Sequence, residues 1–146
     1  MCIEYVMPGL VAAVGLLLGV RILRKKAAKE VSREFRGRNV VIHDTAANYF
    51  GLQSKKGKQI RGNGILVMTD EEIYFRMLLP SREMRIPLHR IKSVSHPKSH
   101  VGKSVGRKLL RVDFEDDTGR IDGAAWYVRD PEAWARAIAT YSPGGG

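Results

Sequence analysis

Apolar and turn-forming positions succeed one another between residues 46 and 128 in a pattern that is typical of β-strands. Seven runs rich in Ile, Val, Tyr and Phe are separated by short segments that contain Gly, Pro, Asp or Ser. The runs are Ala46–Ser54, Gln59–Thr69, Ile73–Leu79, Met84–Leu88, Ile91–Val94, Leu109–Glu115 and Ile121–Val128. Connections as short as residues 70–72 exclude a parallel crossover, so residues 64–94 are predicted to form a consecutive antiparallel meander.

The C-terminal residues complete the predicted fold with one α-helix. Asp130 and Pro131 form a helix start, with an N-cap side chain followed by proline at the first helical position. Trp134, Ile138 and Tyr141 then recur at helical spacing and give the helix one apolar face. Such a helix is suited to closing the open end of a seven-stranded sheet, and residues 142–146 are predicted to be a frayed tail.

The N-terminal segment has the composition of a membrane anchor. Tyr5–Val20 contains no charged residue, and a transmembrane helix needs about 20 mostly apolar residues. A secretory signal would carry Lys or Arg before the apolar run, whereas only Glu4 is charged there. We therefore expect residues 1–23 to be an uncleaved, single-pass transmembrane helix. A signal peptide in front of a secreted or periplasmic interaction domain, and a buried core helix, remain alternatives.

Basic residues follow the apolar segment at once. They are Arg21, Arg24, Lys25, Lys26 and Lys29. By the positive-inside rule this cluster is cytoplasmic, which predicts a protein of the cell membrane with its C-terminal domain in the cytoplasm. Residues 24–45 are predicted to be a basic helical linker to a domain over residues 46–141. Gly15 and Gly19 match the small-xxx-small spacing that permits close helix packing, so a homodimer through these glycines is conceivable.

The overall charge agrees with an anionic partner. The chain has 146 residues and a formal net charge of +10. Such a charge favours binding to nucleic acid or to an anionic membrane surface. The aromatic residues mostly occupy predicted core positions, so no exposed stacking set supports nucleic-acid binding. The single cysteine, Cys2, excludes an intrachain disulfide.

Three hydrophobic and glycine patterns carry a resemblance to a known family. They are Gly62-x-Gly64-x-Leu66-x-Met68-Thr69 leading to Ile73-x-Phe75, then Ile86-Pro87-Leu88-x-x-Ile91-x-x-Val94, and finally Trp134 in the last helix. Over residues 46–141 the chain resembles the pleckstrin-homology-like (PH-like) fold, in particular the GRAM-type and bacterial PH-like modules. The resemblance implies a mainly β fold, a seven-stranded antiparallel sandwich or open barrel capped by a C-terminal helix. It also implies a non-enzymatic module that binds lipid headgroups, peptides or proteins.

Two basic loops are the candidate ligand-binding sites. The first contains Lys55, Lys56, Lys58 and Arg61, and the second contains His100, Lys103, Arg107 and Lys108. The first hairpin is where phosphoinositide-binding members of the family gather phosphate contacts, and clustered cations with free backbone N–H groups suit an anion. We therefore expect these residues to bind anionic lipid headgroups or phosphate, with a membrane protein as the alternative partner.

No pattern predicts catalysis, a metal site or a cofactor. Residues 102–106 match G-x-S-x-G, but a nucleophile elbow places its serine between a buried strand and a helix, whereas Ser104 stands in a polar loop before a strand. His89, His96 and His100 lack paired cysteines and nearby carboxylates, so they are interpreted as surface residues. The predicted function is therefore binding.

Overall fold

A computed structural model describes residues 3–56, 59–104 and 106–143, with side chains from residue 11 onward. Its helices and strands are α1 (Ile3–Glu34), β1 (Val40–Leu52), β2 (Gly62–Thr69), β3 (Glu72–Met77), β4 (Arg82–Pro87), β5 (Ile91–Ser95), β6 (Ser99–His100), β7 (Lys103–Ser104), β8 (Leu110–Glu115), β9 (Ile121–Tyr127) and α2 (Pro131–Tyr141). Single-turn 3-10 helices cover Gln53–Lys55 and Leu88–Arg90. The fold is mainly β.

The seven predicted strands all form and make one antiparallel sheet. Its order is β4-β3-β2-β1-β9-β8-β5, and β6 and β7 form a separate small hairpin. The main difference from the prediction is that β1 begins at Val40, within the segment expected to be a linker. There Val40 pairs with Thr69 of β2. The apolar run Val40–Ile42 is too short to show a strand period, so only pairing with β2 reveals it.

The prediction that Ile91–Val94 continues the meander is wrong. Strand β5 pairs with β8, at the sheet edge opposite β4. Three residues separate Pro87 from Ile91, and extended chain reaches only about 14 Å over that interval. The sheet must therefore curl until its two edge strands approach each other. Leu88 holds this turn, because its side chain is buried and its N–H donates to the Glu71 carbonyl at 2.9 Å.

Strand β1 allows the sheet to bend. Its first part pairs with β2, whereas Asn48–Leu52 pair with β9. A bulge between Asp44 and Ala47 lies opposite Gly64. A Cβ at Gly64 would overlap the Arg76 carbonyl and the ring of Phe75, so only glycine permits this close approach.

The core lies on the inner face of the curved sheet and is closed by α2, as predicted. Trp126, Phe75 and Tyr49 pack with ring centroids 5.3–6.0 Å apart. From α2, Trp134 and Ile138 enter the same cluster and are fully buried. The Asp130 carboxylate accepts the Ala133 N–H at 3.0 Å, which confirms the predicted N-cap.

The second half of α1 packs on the outer face of the sheet. Its buried residues Ala27, Val31 and Phe35 form a cluster with Ile65, Val67 and Tyr74 of β2 and β3. Ion pairs of Glu30 with Arg76 and of Glu34 with Arg85 flank the contact. A helix was predicted here, but its packing on the sheet was not, because the strand residues that point outward are recognisable only once the sheet is assembled. Residues 27–35 thus pack as part of the folded unit rather than standing apart as a linker.

The first half of α1 makes no comparable contact over its described side chains. Val11, Val14, Leu16, Leu17, Leu18, Val20 and Ile22 are exposed. No helix among the described residues is long and apolar enough to cross a membrane. The expected transmembrane anchor over residues 1–23 is therefore unsupported, and residues 1–10, which it includes, lie outside the described side chains.

Candidate functional site

One end of the sheet carries two adjacent loops and is called the loop end below. The β1–β2 loop comprises residues 53–61 and the β3–β4 turn comprises residues 78–81. They lie side by side because Gly64 pairs with Met77 and the Leu78 N–H donates to the Asn63 carbonyl at 3.0 Å. The antiparallel order of β1 to β4 therefore brings residues from distant parts of the sequence together at this end.

A cavity of about 330 Å³ opens between the two loops. Tyr49, Phe75 and Met77 are among its apolar lining residues, Lys55 and Arg82 bring two positive charges to it, and Glu83 brings one negative charge. Burial, and secondarily the negative charge of Asp122, raise the pKa of Tyr49 well above its usual value. The phenol therefore stays neutral at physiological pH and does not repel an anion.

Hydrogen bonds fix the β1–β2 loop in place. The Gln59 side chain accepts the Leu52 N–H at 2.7 Å and donates to the Leu52 carbonyl at 2.8 Å. The Asp122 carboxylate accepts the Ser54 N–H at 3.0 Å and its hydroxyl at 2.6 Å. Lys55 consequently extends from a held backbone, which lowers the entropy lost on binding. Sequence reasoning missed Gln59 and Asp122, because their partners come from other segments.

Two large apolar side chains are exposed at the loop end. Ile60 in the β1–β2 loop is 44% exposed, and Leu79 in the β3–β4 turn is 72% exposed. Lys55, Lys56 and Arg82 on the same loops are also exposed. Exposed apolar groups surrounded by cations form a surface that can enter an anionic lipid interface. Of the predicted residues of this loop, Lys58 lies outside the described ones.

Arg61 and His100 are less exposed than the cations of this surface. His100 is only 2% exposed, and its Nε2 lies 2.9 Å from the Gly51 carbonyl oxygen. Its interpretation as a surface residue is wrong, because the segment around it folds back over β1, where His100 contacts Gly51 and Lys103 contacts Phe50. Burial lowers the pKa of His100, with further lowering by Arg111 and Arg61, so the imidazole is neutral at pH 7. Arg61 is half-buried, with Nε and Nη2 unpartnered among the described atoms.

The cations of the second loop are engaged along the outer face of the sheet. Lys103 Nζ lies 5.4 Å from the centroid of the Phe50 ring. Arg107 Nη1 donates to the Tyr127 hydroxyl at 2.9 Å, and Lys108 forms an ion pair with Glu132 of α2 at 3.1 Å. The loop thus leads from the end of β1 towards α2. Lys103, Arg107 and Lys108 are not among the residues that line the cavity between the β1–β2 loop and the β3–β4 turn.

The basic part of α1 is directed towards the loop end. Glu34, near the C-terminal end of the helix, forms an ion pair with Arg85, and Glu30, one turn closer to the N-terminus, forms an ion pair with Arg76. Arg85 stands opposite Tyr74 in the sheet, so the helix advances along β3 towards its end at Met77. Of the predicted basic residues here, Arg21, Lys25, Lys26 and Lys29 are exposed and Arg24 is half-buried.

The described residues form no cluster of metal-ligating side chains, and Ser104 lies on a surface hairpin. No group of three or more His, Cys, Asp or Glu among them could hold a metal ion. Ser104 lies exposed on the β6–β7 hairpin, where its hydroxyl is 3.5 Å from the Lys98 carbonyl, and the residues described from Gly106 to Leu109 are not helical. Because the serine stands on a surface hairpin, the G-x-S-x-G match has no nucleophile-elbow context.

Comparison with known proteins finds a similar fold among solved structures and gives no information on activity. No protein-family model matches the chain, and no curated protein matches it. Among solved structures, the chain is similar to the crystal structure of the C-terminal domain of an unknown protein from Leishmania infantum. That similarity has a TM-score of 0.54 at 12% identity and covers 80% of this chain and 95% of the other. At such identity the similarity concerns the fold alone.

Proposed function

We propose that this chain is a non-enzymatic, PH-like binding module that docks its loop end on an anionic membrane surface at the cytoplasmic side of the cell membrane. The observation that carries the proposal is the exposure of Ile60 and Leu79 beside Lys55, Lys56 and Arg82. Apolar insertion and charge attraction act together there: a cation near an anionic surface contributes about 1 kcal/mol, and each buried CH₂ group contributes about 0.8 kcal/mol.

The architecture supports the PH-like part of the proposal. Seven antiparallel strands followed by one helix are what the resemblance requires, and Trp134 of that helix lies in the core. The glycine pattern also has a physical role, because Gly64 lies opposite the bulge of β1. A fold of this kind presents loops at one end of the sheet, which is where the candidate surface lies.

The first half of α1 supports attachment to the membrane. A helix that is apolar around its whole circumference needs an apolar environment, and the side chains of Val11–Val20 have no such environment within this chain. We propose that this part enters the bilayer together with the residues before it, while the basic residues from Arg21 onward meet the headgroups. The unbroken helix Ile3–Glu34 would then hold the loop end towards that surface.

Flotation with lipid vesicles tests the proposal on a chain of residues 24–146, which lacks most of the apolar half of α1. We expect recruitment to vesicles that contain phosphatidylglycerol, little recruitment to pure phosphatidylcholine, and weaker recruitment at high salt, because the Debye length falls from about 10 Å at 0.1 M to about 3 Å at 1 M. Ile60→Ser together with Leu79→Ser should lower recruitment about tenfold or more, since two apolar side chains no longer insert.

Matched controls separate the loop end from general charge and hydrophobicity. Tyr141→Ser removes an exposed aromatic from α2, and Lys103→Gln removes a cation from the second loop. Both variants should bind as the parent does, whereas Lys55→Gln with Lys56→Gln should bind less. Equal and negligible recruitment to both vesicle types would remove the lipid function and leave a protein partner as the ligand. Equal loss in every variant would show that the loop end has no special role.

A further inference from the structure

An open groove runs along the flank of α1 that faces the first part of β1. Its inner part is a cavity of about 320 Å³ with a floor of Val31, Phe35, Ile65 and Val67. Its outer part is a cleft of about 440 Å³ bordered by Arg21, Arg24 and Lys25. Ala28 and Thr45 line both, so the two parts are continuous. The groove is thus apolar at one end and cationic at the other.

The charges along the groove favour an anion at its outer end. Three basic residues border that end, and no carboxylate is among the described residues that line either part. Arg24 Nε is buried and has no hydrogen-bond partner among the described atoms. An unpartnered buried donor on a charged group is costly, and a bound anion would satisfy it. The nearest acids of the helix, Glu30 and Glu34, are paired with Arg76 and Arg85.

We propose that this groove binds one acyl chain of an anionic lipid, with its phosphate at Arg21, Arg24 and Lys25. The long apolar floor and the single charged end match a molecule with one apolar tail and one anionic head. A peptide would place backbone amides on the floor of Val31, Phe35, Ile65 and Val67, where they would lack hydrogen-bond partners. The inference extends the proposed membrane function by naming a lipid class, but its site is separate from the loop end.

Photo-crosslinking of the full-length chain tests the proposal. The probe is a lysophosphatidylglycerol with a diazirine in its acyl chain, added to the protein together with phosphatidylcholine vesicles. A lysophosphatidylcholine with the same chain is the neutral match. We expect the anionic probe to label peptides that contain Val31, Thr45 or Val67, and the zwitterionic probe to label them far less. Because such single-chain lipids exchange through water, labelling does not require the protein to be membrane-bound.

Variants on the rim of the groove define the site further. Arg24→Gln with Lys25→Gln should lower groove labelling about tenfold, because charge-assisted contacts are lost. Lys26→Gln with Arg33→Gln removes the same charge from exposed positions of the same helix that do not line the groove, and should leave labelling unchanged. Thr45→Phe fills the junction of the two parts from an exposed strand position, so it should block labelling without unfolding the domain.

The possible outcomes distinguish this proposal from the proposed function. Labelling confined to residues before Arg21, or equal labelling by both probes, overturns the groove assignment. Crosslinks between two protein chains at the groove overturn it too, in favour of a second copy as the occupant. Flotation with phosphatidylglycerol vesicles, to which the proposed function expects recruitment, reports membrane association independently. If the chain floats but its groove is not labelled, the proposed function stands and the groove inference is overturned. If the groove is labelled but the chain does not float, the groove inference stands and the proposed function is overturned.

Discussion

At the scale of single residues, the buried imidazole of His100 links folding to pH. Burial is the main cause that lowers its pKa, Arg111 and Arg61 lower it further, and the Gly51 carbonyl and Asp113 act in the opposite direction. Just below pH 6.5, the ordinary pKa of a histidine, the imidazole of His100 is protonated in the unfolded chain but not in the folded chain. The contribution of His100 to stability is therefore present above that pH and is lost as the pH falls towards the lowered folded-state pKa.

The loss of stability with falling pH can be measured by urea unfolding. The urea midpoint of residues 24–146 should fall between about pH 7.5 and about pH 5.5, and His100→Gln should reduce that fall, because glutamine does not titrate. His89→Gln changes an exposed imidazole and should leave the pH dependence as it is. An unchanged fall in the His100 variant would show that another group carries the effect.

At the scale of secondary-structure elements, α2 stabilises the fold mainly through Trp134. This side chain is 1% exposed and packs in the main core cluster beside the last strands. Trp134→Ala should lower the free energy of unfolding by about 3–5 kcal/mol, because a large aromatic is lost from a packed site. The control Tyr141→Ala lies on the same helix but is exposed, so it should change stability by less than about 0.5 kcal/mol. Denaturant unfolding measures both, and similar small effects would contradict the capping role.

The second half of α1 is an element of the folded domain. A chain that begins at residue 39 loses Val31 and Phe35 and exposes Ile65, Val67 and Tyr74. It should be less stable by about 3 kcal/mol or more, and should self-associate, since these side chains form an exposed apolar patch. A chain that begins at residue 24 retains the contact and should stay monomeric. Size-exclusion chromatography and thermal unfolding compare the two, and equal behaviour would show that the contact contributes little.

At the scale of the whole molecule, positive charge lies in three places with different roles. Lys55, Lys56 and Arg82 are exposed at the loop end and form no ion pair among the described residues, and the basic residues of α1 are directed towards the same end. The cations of the second loop instead pair with Phe50, Tyr127 and Glu132. Only the contact of Lys108 with Glu132 is an ion pair, so the formal charge of +10 is distributed over several surfaces rather than reduced by the other contacts. The positions of the basic residues on the surface decide which of the positive charges can contact a membrane.

Local patterns in the sequence determined the strands and the C-terminal helix. Alternating residues such as Leu110 and Val112, and the Asp130-Pro131 helix start, identify their elements because short-range sterics and capping act between neighbours. Ala27, Val31 and Phe35 recur at a spacing of four residues, which is likewise a local pattern and is typical of one face of a helix. These features depend on residues at most a few positions apart.

Only the tertiary structure decided which surfaces meet and which side chains remain exposed. The crossing of β5 to the far edge, the burial of His100 under its own loop, and the joining of Ile60 to Leu79 at one end all depend on contacts between distant segments. The groove beside α1 exists for the same reason, since its apolar floor comes from the helix and from β2. Such contacts form when the sheet curls, and no local pattern of the sequence encodes them.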